Sequence, residues 1–313
     1  MKQPKVFVAG HRGMVGGAIL RALQAKGYRD IVVRTRSELP LDDAEAVNRF
    51  FDAERPDWVF LAAAKVGGIL ANDRFGGDFI RENLRIQVNV IDAARRSGAS
   101  RLLFLGSSCI YPRDAPQPIS EDALLTGPLE PTNSAYAVAK IAGKEMCDAY
   151  RKQFGMNAFT IMPCNVYGIG DNFHPDHSHV IAGLIRRFHE AKMRGDAAVA
   201  VWGSGTPLRE FIFSEDLGDA GLFLMERYEE GGMINAGSGE EISIAALAEK
   251  VKRIVGFEGE VRFDPTKPDG TPRKLMDNSR LSALGWRAKT GLDAGLAAAY
   301  QWYLREVAEP ASA

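Results

Sequence analysis

Ser107 and Cys109 stand two residues apart just past an apolar run, Leu102 to Leu105, and Tyr136 and Lys140 stand four apart in a later segment of helical pattern. Tyr and Lys at that spacing share one face of a helix, one turn apart. An ammonium beside a phenol favours the phenolate and lowers the phenol's pKa. Such a Tyr can pass a proton to or from a carbonyl oxygen, with a Ser hydroxyl as second donor. The apolar run reads as a buried strand. Ser107 and its neighbour Ser108 then sit at the carboxyl edge of a sheet, where α/β folds bind ligands. In an extended segment Ser107 and Cys109 face the same side.

Cys109 adds a second kind of chemistry. A thiolate base and an imidazolium acid are a workable pair for moving a proton on carbon. His179 ends a polar, irregular stretch that begins at Asn172, and from there it can face the same cavity. Thiol pKa values near about 8.5 and imidazole values near about 6.5 mean that the pair needs modest tuning. No metal is assigned to His174, His177 and His179. Cys147 lies inside a helical pattern and reads as a buried apolar thiol.

The elements that must hold these groups alternate. Lys5 to Ala9 reads as a strand and Met14 to Lys26 as a helix. Between them lies Gly10-His11-Arg12-Gly13-Met14-Val15-Gly16. Glycines at this spacing let the backbone approach a pyrophosphate at the helix N-terminus. The spacing is a variant of the common dinucleotide fingerprint, and the alternative is a tight turn with no ligand. The second strand, Ile31 to Val33, ends where an acidic residue would bond a ribose 2′-hydroxyl. It runs instead into Arg34-Thr35-Arg36, with Arg12 nearby. Guanidinium groups pair well with phosphate, which points to NADP(H). The alternative is a solvated basic turn.

Asp57 to Ala64 reads as a third strand, and Gly67-Gly68 with the polar segment to Asp78 as a loop over the site. Asn83 to Arg96 reads as a helix, Arg101 to Gly106 as the fourth strand, and Ala158 to Met162 as the fifth, ending in Pro163-Cys164-Asn165-Val166-Tyr167-Gly168. The economical arrangement is a parallel, doubly wound sheet. Composition changes at Asp171. A helix from Val180 to Met193 and a strand from Ala198 to Trp202 follow. Leu208 to Phe213 and a helix through Glu226 return to the main domain. Ile242 to Val255 is then helical, and Lys267 to Asp277 reads as a loop opening on the ligand.

Bulk properties exclude several classes. The chain has 313 residues, a formal net charge of −1 and 46% hydrophobic residues. That supports one large or two closely joined domains and gives no footprint for nucleic acid or an anionic membrane. No apolar run approaches a membrane span, and no signal-peptide core is expected at the N-terminus. Three cysteines far apart argue for a reducing cytoplasm.

The strand-end Ser, the Tyr-x-x-x-Lys and the glycine loop together resemble the extended short-chain dehydrogenase/reductase family, many of whose members act on nucleotide sugars. The resemblance implies a Rossmann-type α/β fold, with the doubly wound parallel sheet in residues 1–168 and about 209–238. A smaller, discontinuous α/β substrate domain would take about 169–208 and 239–313. Within the family, the segments Leu105 to Pro112, Glu130 to Gly143, Asp171 to Ile181, Val201 to Phe211 and Lys267 to Asp277 are similar to the NADPH-dependent 3,5-epimerase/4-reductases. These act on GDP-4-keto-6-deoxy-D-mannose, and the match covers almost the whole chain.

That likeness implies Ser107, Tyr136 and Lys140 as catalytic residues, Cys109 as base and His179 as acid. It implies an NADP(H) site formed by Gly10 to Gly16, by Arg36, Ser37, Glu38, Leu39, Pro40 and Leu41, by Leu105, Gly106, Ser107 and Ser108, by Lys140, by Pro163, Cys164, Asn165 and Val166, and by His179. Arg187, Trp202, Arg209 and Asp277 would contact the nucleotide sugar, and a homodimer is implied. Other epimerase/reductases of the same fold remain as alternatives, as does a protein that binds NADP as a sensor without catalysis. A 4,6-dehydratase is disfavoured because Ser108-Cys109 stands where a carboxylate is needed.

Overall fold

The computed structural model describes residues 3–175, 177–267 and 269–308. Asp176 and Pro268, within two of the loops read from the sequence, lie outside them. The first half alternates strictly: β1 Val6–Ala9, α1 Met14–Ala25, β2 Ile31–Val32, α2 Ala44–Glu54, β3 Trp58–Leu61, α3 Ile69–Arg74, α4 Gly76–Ser97, β4 Arg101–Leu105, α5 Ser134–Phe154 and β5 Asn157–Pro163. The second half comprises β6 Asn165–Tyr167, α6 Val180–Arg194, β7 Ala198–Trp202, β8 Leu208–Phe213, α7 Ser214–Arg227, β9 Met233–Ala236, β10 Glu241–Ser243, α8 Ile244–Val255, β11 Glu260–Asp264, β12 Arg273–Lys274, α9 Ser279–Ala283 and α10 Leu292–Tyr303.

The central sheet has six parallel strands in the order β2-β1-β3-β4-β5-β9. Its inner strands are apolar along their length, as buried parallel strands must be when helices cover both faces; every residue of β1 is buried. The chain goes to one side of β1 for β2 and to the other for β3. The strand order therefore reverses beside β1, and a crevice opens at the carboxyl ends there. Two apolar clusters flank the sheet, one around Val8, Ile19 and Leu217, the other around Phe7, Phe51 and Ile91.

A third cluster gathers Ile185 and Phe188 of α6, Val251 of α8, Leu296 of α10 and Val201 of β7. It covers the carboxyl end of the sheet from the far side of the crevice. The segment after Trp202 does not return directly to the central sheet. β8 instead pairs with β6, β10 and β12 in a small separate sheet, while α7 and β9 rejoin the first layer and Ile212 of β8 and Leu281 of α9 pack into its core. The segment read as a loop to Asp78 is also different: past Gly68 it is helical, in α3 and then α4. Asp43 caps α2 by accepting from the Glu45 and Ala46 amides. Among the described residues no helix is long and apolar enough to cross a membrane.

Candidate active site

A cavity of about 1620 Å³ runs from the end of β1, across the ends of β3, β4 and β5, to β7, β8 and the loop before β12. Its first wall is the glycine loop. Gly10 has φ +90°, and a Cβ there would lie 2.7 Å from the Ala63 amide nitrogen. A Cβ on Gly16 would run into the Gly10 carbonyl. Only glycine lets these backbones close up. The N-cap of α1 is Gly13, with no side-chain cap and no acidic residue in the first turn. The orphan amides and the positive end of the helix therefore face the cavity and suit a phosphate. His11 adds a buried Nδ1 without a partner. These features fit a pyrophosphate-bearing cofactor.

At the edge of β2 the basic residues divide. Arg34 donates to Glu54 at 2.6 Å and lies over the Phe50 ring. This pair engages part of its guanidinium, and Arg34 still lines the cavity beside Arg36. Arg36 is 81% exposed and only 3.7 Å from Glu82. Together with Arg12 it lines the cavity. Leu39 and Leu41 line it too, whereas Ser37, Glu38 and Pro40 do not. Glu38 is turned back onto the Thr35 amide and hydroxyl.

The catalytic candidates meet at the ends of β4 and β5. Ser107 is extended, but Ser108–Ile110 forms a turn of 3-10 helix. The expectation of an extended Ser107-Ser108-Cys109 segment is therefore corrected. The turn still gathers the groups: Ser107 Oγ accepts from the Cys109 amide at 3.4 Å, and Ser107, Ser108, Cys109, Tyr136 and His179 all line the cavity. Lys140 is 2% exposed and donates to the Leu105 carbonyl at 2.7 Å. Its ammonium lies 5.8 Å from the Tyr136 ring centroid.

The electrostatics differ from the sequence reading. Burial, and then the charge of Cys109, push the Tyr136 phenol well above its usual range, against a hydrogen bond from Ser107. Lys140 does not overcome this; burial lowers its own pKa to about 8. The phenol is therefore held protonated and suited to donate a proton. Burial raises the Cys109 thiol, opposed by Lys274, Ser107 and Lys140 in that order. The His179 imidazole stands in the cavity, open to its solvent yet enclosed by its walls, and that enclosure lowers its pKa.

Comparison with known proteins shows the family of the chain. The sequence profile of the NAD dependent epimerase/dehydratase family matches residues 6–237. The chain belongs to that family. It is 58% identical to putative GDP-L-fucose synthase 2 of Arabidopsis thaliana, over 98% of this chain and 94% of that one. It is 51% identical to GDP-L-fucose synthase of Escherichia coli (strain K12), over 97% of this chain and 98% of that one. The crystal structure of a GDP-L-fucose synthetase from Naegleria fowleri bound to NADP superposes with a TM-score of 0.90 at 27% identity, covering 97% of this chain and 95% of that one.

In this epimerase/dehydratase-family chain the far wall of the cavity is cationic. Arg187 of α6 and Arg209 of β8 line it, and Trp202 stands at its mouth beneath the Lys267 ammonium. Both arginines donate to backbone carbonyls, which leaves their charge for a ligand. Asp277 does not line the cavity; its side chain accepts from the Ser279 amide at the start of α9. From the same loop, Asp269, Gly270, Thr271 and Lys274 line it. Pro163, Cys164, Asn165 and Val166 also face it, and the Asn165 amide donates to the Glu210 carbonyl.

Sequence reasoning missed two carboxyls. Asp171 lines the cavity, and burial raises it to about 7 although it accepts from the Asn172 amide. Glu210 is fully buried and accepts from the amides of Gly239 and Met276 and from Asn278. It thereby ties β8 to the segment after β12. No sequence signal marks Glu210, which stands beside Arg209 ahead of the apolar run Phe211 to Phe213. Among the described residues no group of three or more His, Cys, Asp or Glu is set to hold a metal, and His174 and His177 stack at 4.6 Å.

Proposed function

We infer that this protein is an NADPH-dependent GDP-L-fucose synthase, which inverts carbons 3 and 5 of GDP-4-keto-6-deoxy-D-mannose and reduces the ketone at carbon 4. The observation that carries this reading is the meeting of a thiol, an imidazole, a phenol and a Ser hydroxyl in one cavity with a phosphate-binding glycine loop. The relatives bearing that name support it.

The ketone acidifies the hydrogens on both neighbouring carbons. Cys109, as thiolate, takes one proton, and the C–H electrons pass onto the ketone oxygen as an enolate. Tyr136 and Ser107 hold that oxygen by hydrogen bonds. His179 returns a proton to carbon on the opposite face. One ketone thus serves both inversions with one acid–base pair. NADPH, when bound, supplies the hydride that reduces carbon 4. Tyr136 gives the new alkoxide its proton, and Lys140, anchored on Leu105, holds the end of β4 against the Tyr136 helix.

Gly10 to Gly16 would hold the pyrophosphate of the cofactor, and Arg12 with Arg36 its 2′-phosphate. Leu105 to Ser108 and Pro163 to Val166 would flank the nicotinamide. The far wall would hold the GDP-sugar through Arg187, Trp202 and Arg209. Residues 1–168 and about 209–238 then form the cofactor domain and the remainder the substrate domain. The unpaired thiols fit a cytoplasmic location.

Product analysis by NMR after incubation with NADPH and the 4-keto sugar nucleotide tests the function. GDP-L-fucose is expected; a 4-reduced sugar with carbons 3 and 5 uninverted would leave only a plain ketoreductase. Arg36→Ala should weaken NADPH binding about tenfold, the scale of a lost charged contact on an exposed side chain. NADH binding should change little. Equal losses for both cofactors in fluorescence titration would remove the 2′-phosphate assignment.

A homodimer would use α4 and α5, whose exposed faces carry Val88, 48% exposed, and Val138, 44% exposed. Val88→Arg with Val138→Arg should convert the dimer to monomer in light scattering. An unchanged dimer mass would place the interface elsewhere.

A further inference from the structure

Lys274 is the one basic residue of the late loop that enters the chemistry without an assigned partner. It reaches the cavity from β12, whose backbone runs parallel to β8 with Lys274 opposite Arg209. Glu210 fixes this strand by accepting from the Met276 amide two residues on. The backbone at Lys274 is therefore fixed by pairing and by Glu210.

Behind Cys109 lies a second, small void of about 40 Å³, walled by Cys109, Arg113, Glu130, Asn133, Thr271 and Lys274, among others. It has room for one or two waters. Asn133 Oδ1 is buried without a hydrogen-bond partner, so a polar occupant is expected there. Cys109 and Lys274 thus line both cavities together.

Of the nearby inward cations, Lys65 pairs with Glu82 and Lys140 donates to the Leu105 carbonyl. Glu130 accepts from Thr132 and pairs with Arg113. Among the described residues nothing accepts from the Lys274 ammonium. An ammonium on a cavity wall without an anion favours the charged form of an acid that stands opposite it. Besides Lys274, the charged and titratable groups around Cys109 are Tyr136 and Lys140 from α5, Glu130 and Arg113 from the loop before it, Tyr111 after its own turn, Arg273 from β12, and His179 of the larger cavity.

We propose that Lys274 is the positioning residue that sustains Cys109 as a thiolate, acting across the small water chamber. The S–H bond breaks, the proton passes to water, and the electron pair stays on sulfur opposite the ammonium; Lys274 forms no bond and keeps its protons. In support, burial lowers the ammonium's own pKa while the charge of Cys109 raises it, so each group favours the other's charged form. This rests on Cys109 as the base of the proposed reaction. The competing role is a contact to the diphosphate of the substrate, beside Arg209.

The test is the pH dependence of Cys109 alkylation by iodoacetamide, read by peptide mapping so that Cys147 and Cys164 are scored separately. Lys274→Met should move the Cys109 midpoint up by about one pH unit, the lower end of what a nearby opposite charge does, and Lys274→Arg should restore it. Deuterium exchange at carbons 3 and 5 should fall about tenfold at neutral pH in Lys274→Met, matching the lost thiolate, with KM for the sugar nucleotide unchanged. An unmoved alkylation midpoint with a raised KM would overturn the proposal in favour of the diphosphate contact. Alkylation needs no substrate, so a wrong sugar assignment would not disturb that readout.

Discussion

Cys109→Ser should reduce solvent-deuterium entry at carbons 3 and 5 by about a thousandfold, within the usual range for loss of a general base. NADPH affinity should stay near that of the unsubstituted protein. The substitution keeps the size and the backbone of the turn, including the amide hydrogen bond to Ser107 Oγ. It replaces a thiol by a hydroxyl that cannot ionise near neutrality. The measurement uses the 4-keto sugar nucleotide in D₂O with NADP⁺ in place of NADPH, so that reduction does not drain the pool. The pH profile of the unsubstituted protein carries a second expectation. Burial raises the Cys109 pKa and enclosure lowers that of His179. Below the imidazole pKa the thiolate fraction rises with pH; above the thiol pKa the imidazolium fraction falls. Between them the two changes cancel, and exchange should be flat across neutral pH. A narrow bell centred there would mean that the groups are tuned towards each other. Wild-type exchange in Cys109→Ser would remove Cys109 as base.

The order of strands and helices around the sheet was legible because burial on both faces demands apolar runs, and the glycine loop was legible because only glycine permits its close approaches. What local pattern could not show were distant partners. Arg34 stands beside Arg36 in the sequence, and only the fold shows that it also pairs with Glu54, a full helix away. Alternation suggested that Ser107 and Cys109 face one way in an extended chain. A single 3-10 turn brings them together by another route, through the Ser107 Oγ contact. The expected acidity of Tyr136 failed for a related reason. The Tyr-x-x-x-Lys spacing places Lys140 near the ring, but the depth of burial, which outweighs it, is a property of the whole fold. Glu210 had no signature, because its meaning depends on a small sheet formed by four strands from separate parts of the chain.

Tyr136→Phe should slow NADPH oxidation with the 4-keto sugar nucleotide by about a thousandfold, with a smaller loss in exchange at carbons 3 and 5. The ring itself stays: its edge-to-face contact with Phe79, at 6.3 Å between centroids, does not use the hydroxyl. Only the proton donor is lost. In reduction the oxygen becomes a full alkoxide, and without Tyr136 the remaining donor is Ser107. In exchange the charge on that oxygen is spread over the enolate, while Cys109 and His179 still move the proton on carbon, so less depends on the phenol. Because burial holds the phenol protonated, the reduction rate of the unsubstituted protein should not fall as pH rises through the ordinary tyrosine range. A fall there would show a phenol ionising at its usual value, and equal losses of exchange and reduction in Tyr136→Phe would show that the residue serves binding rather than proton donation. Each result bears on a different half of the reaction. Together they separate a site that inverts and then reduces from one that only transfers hydride.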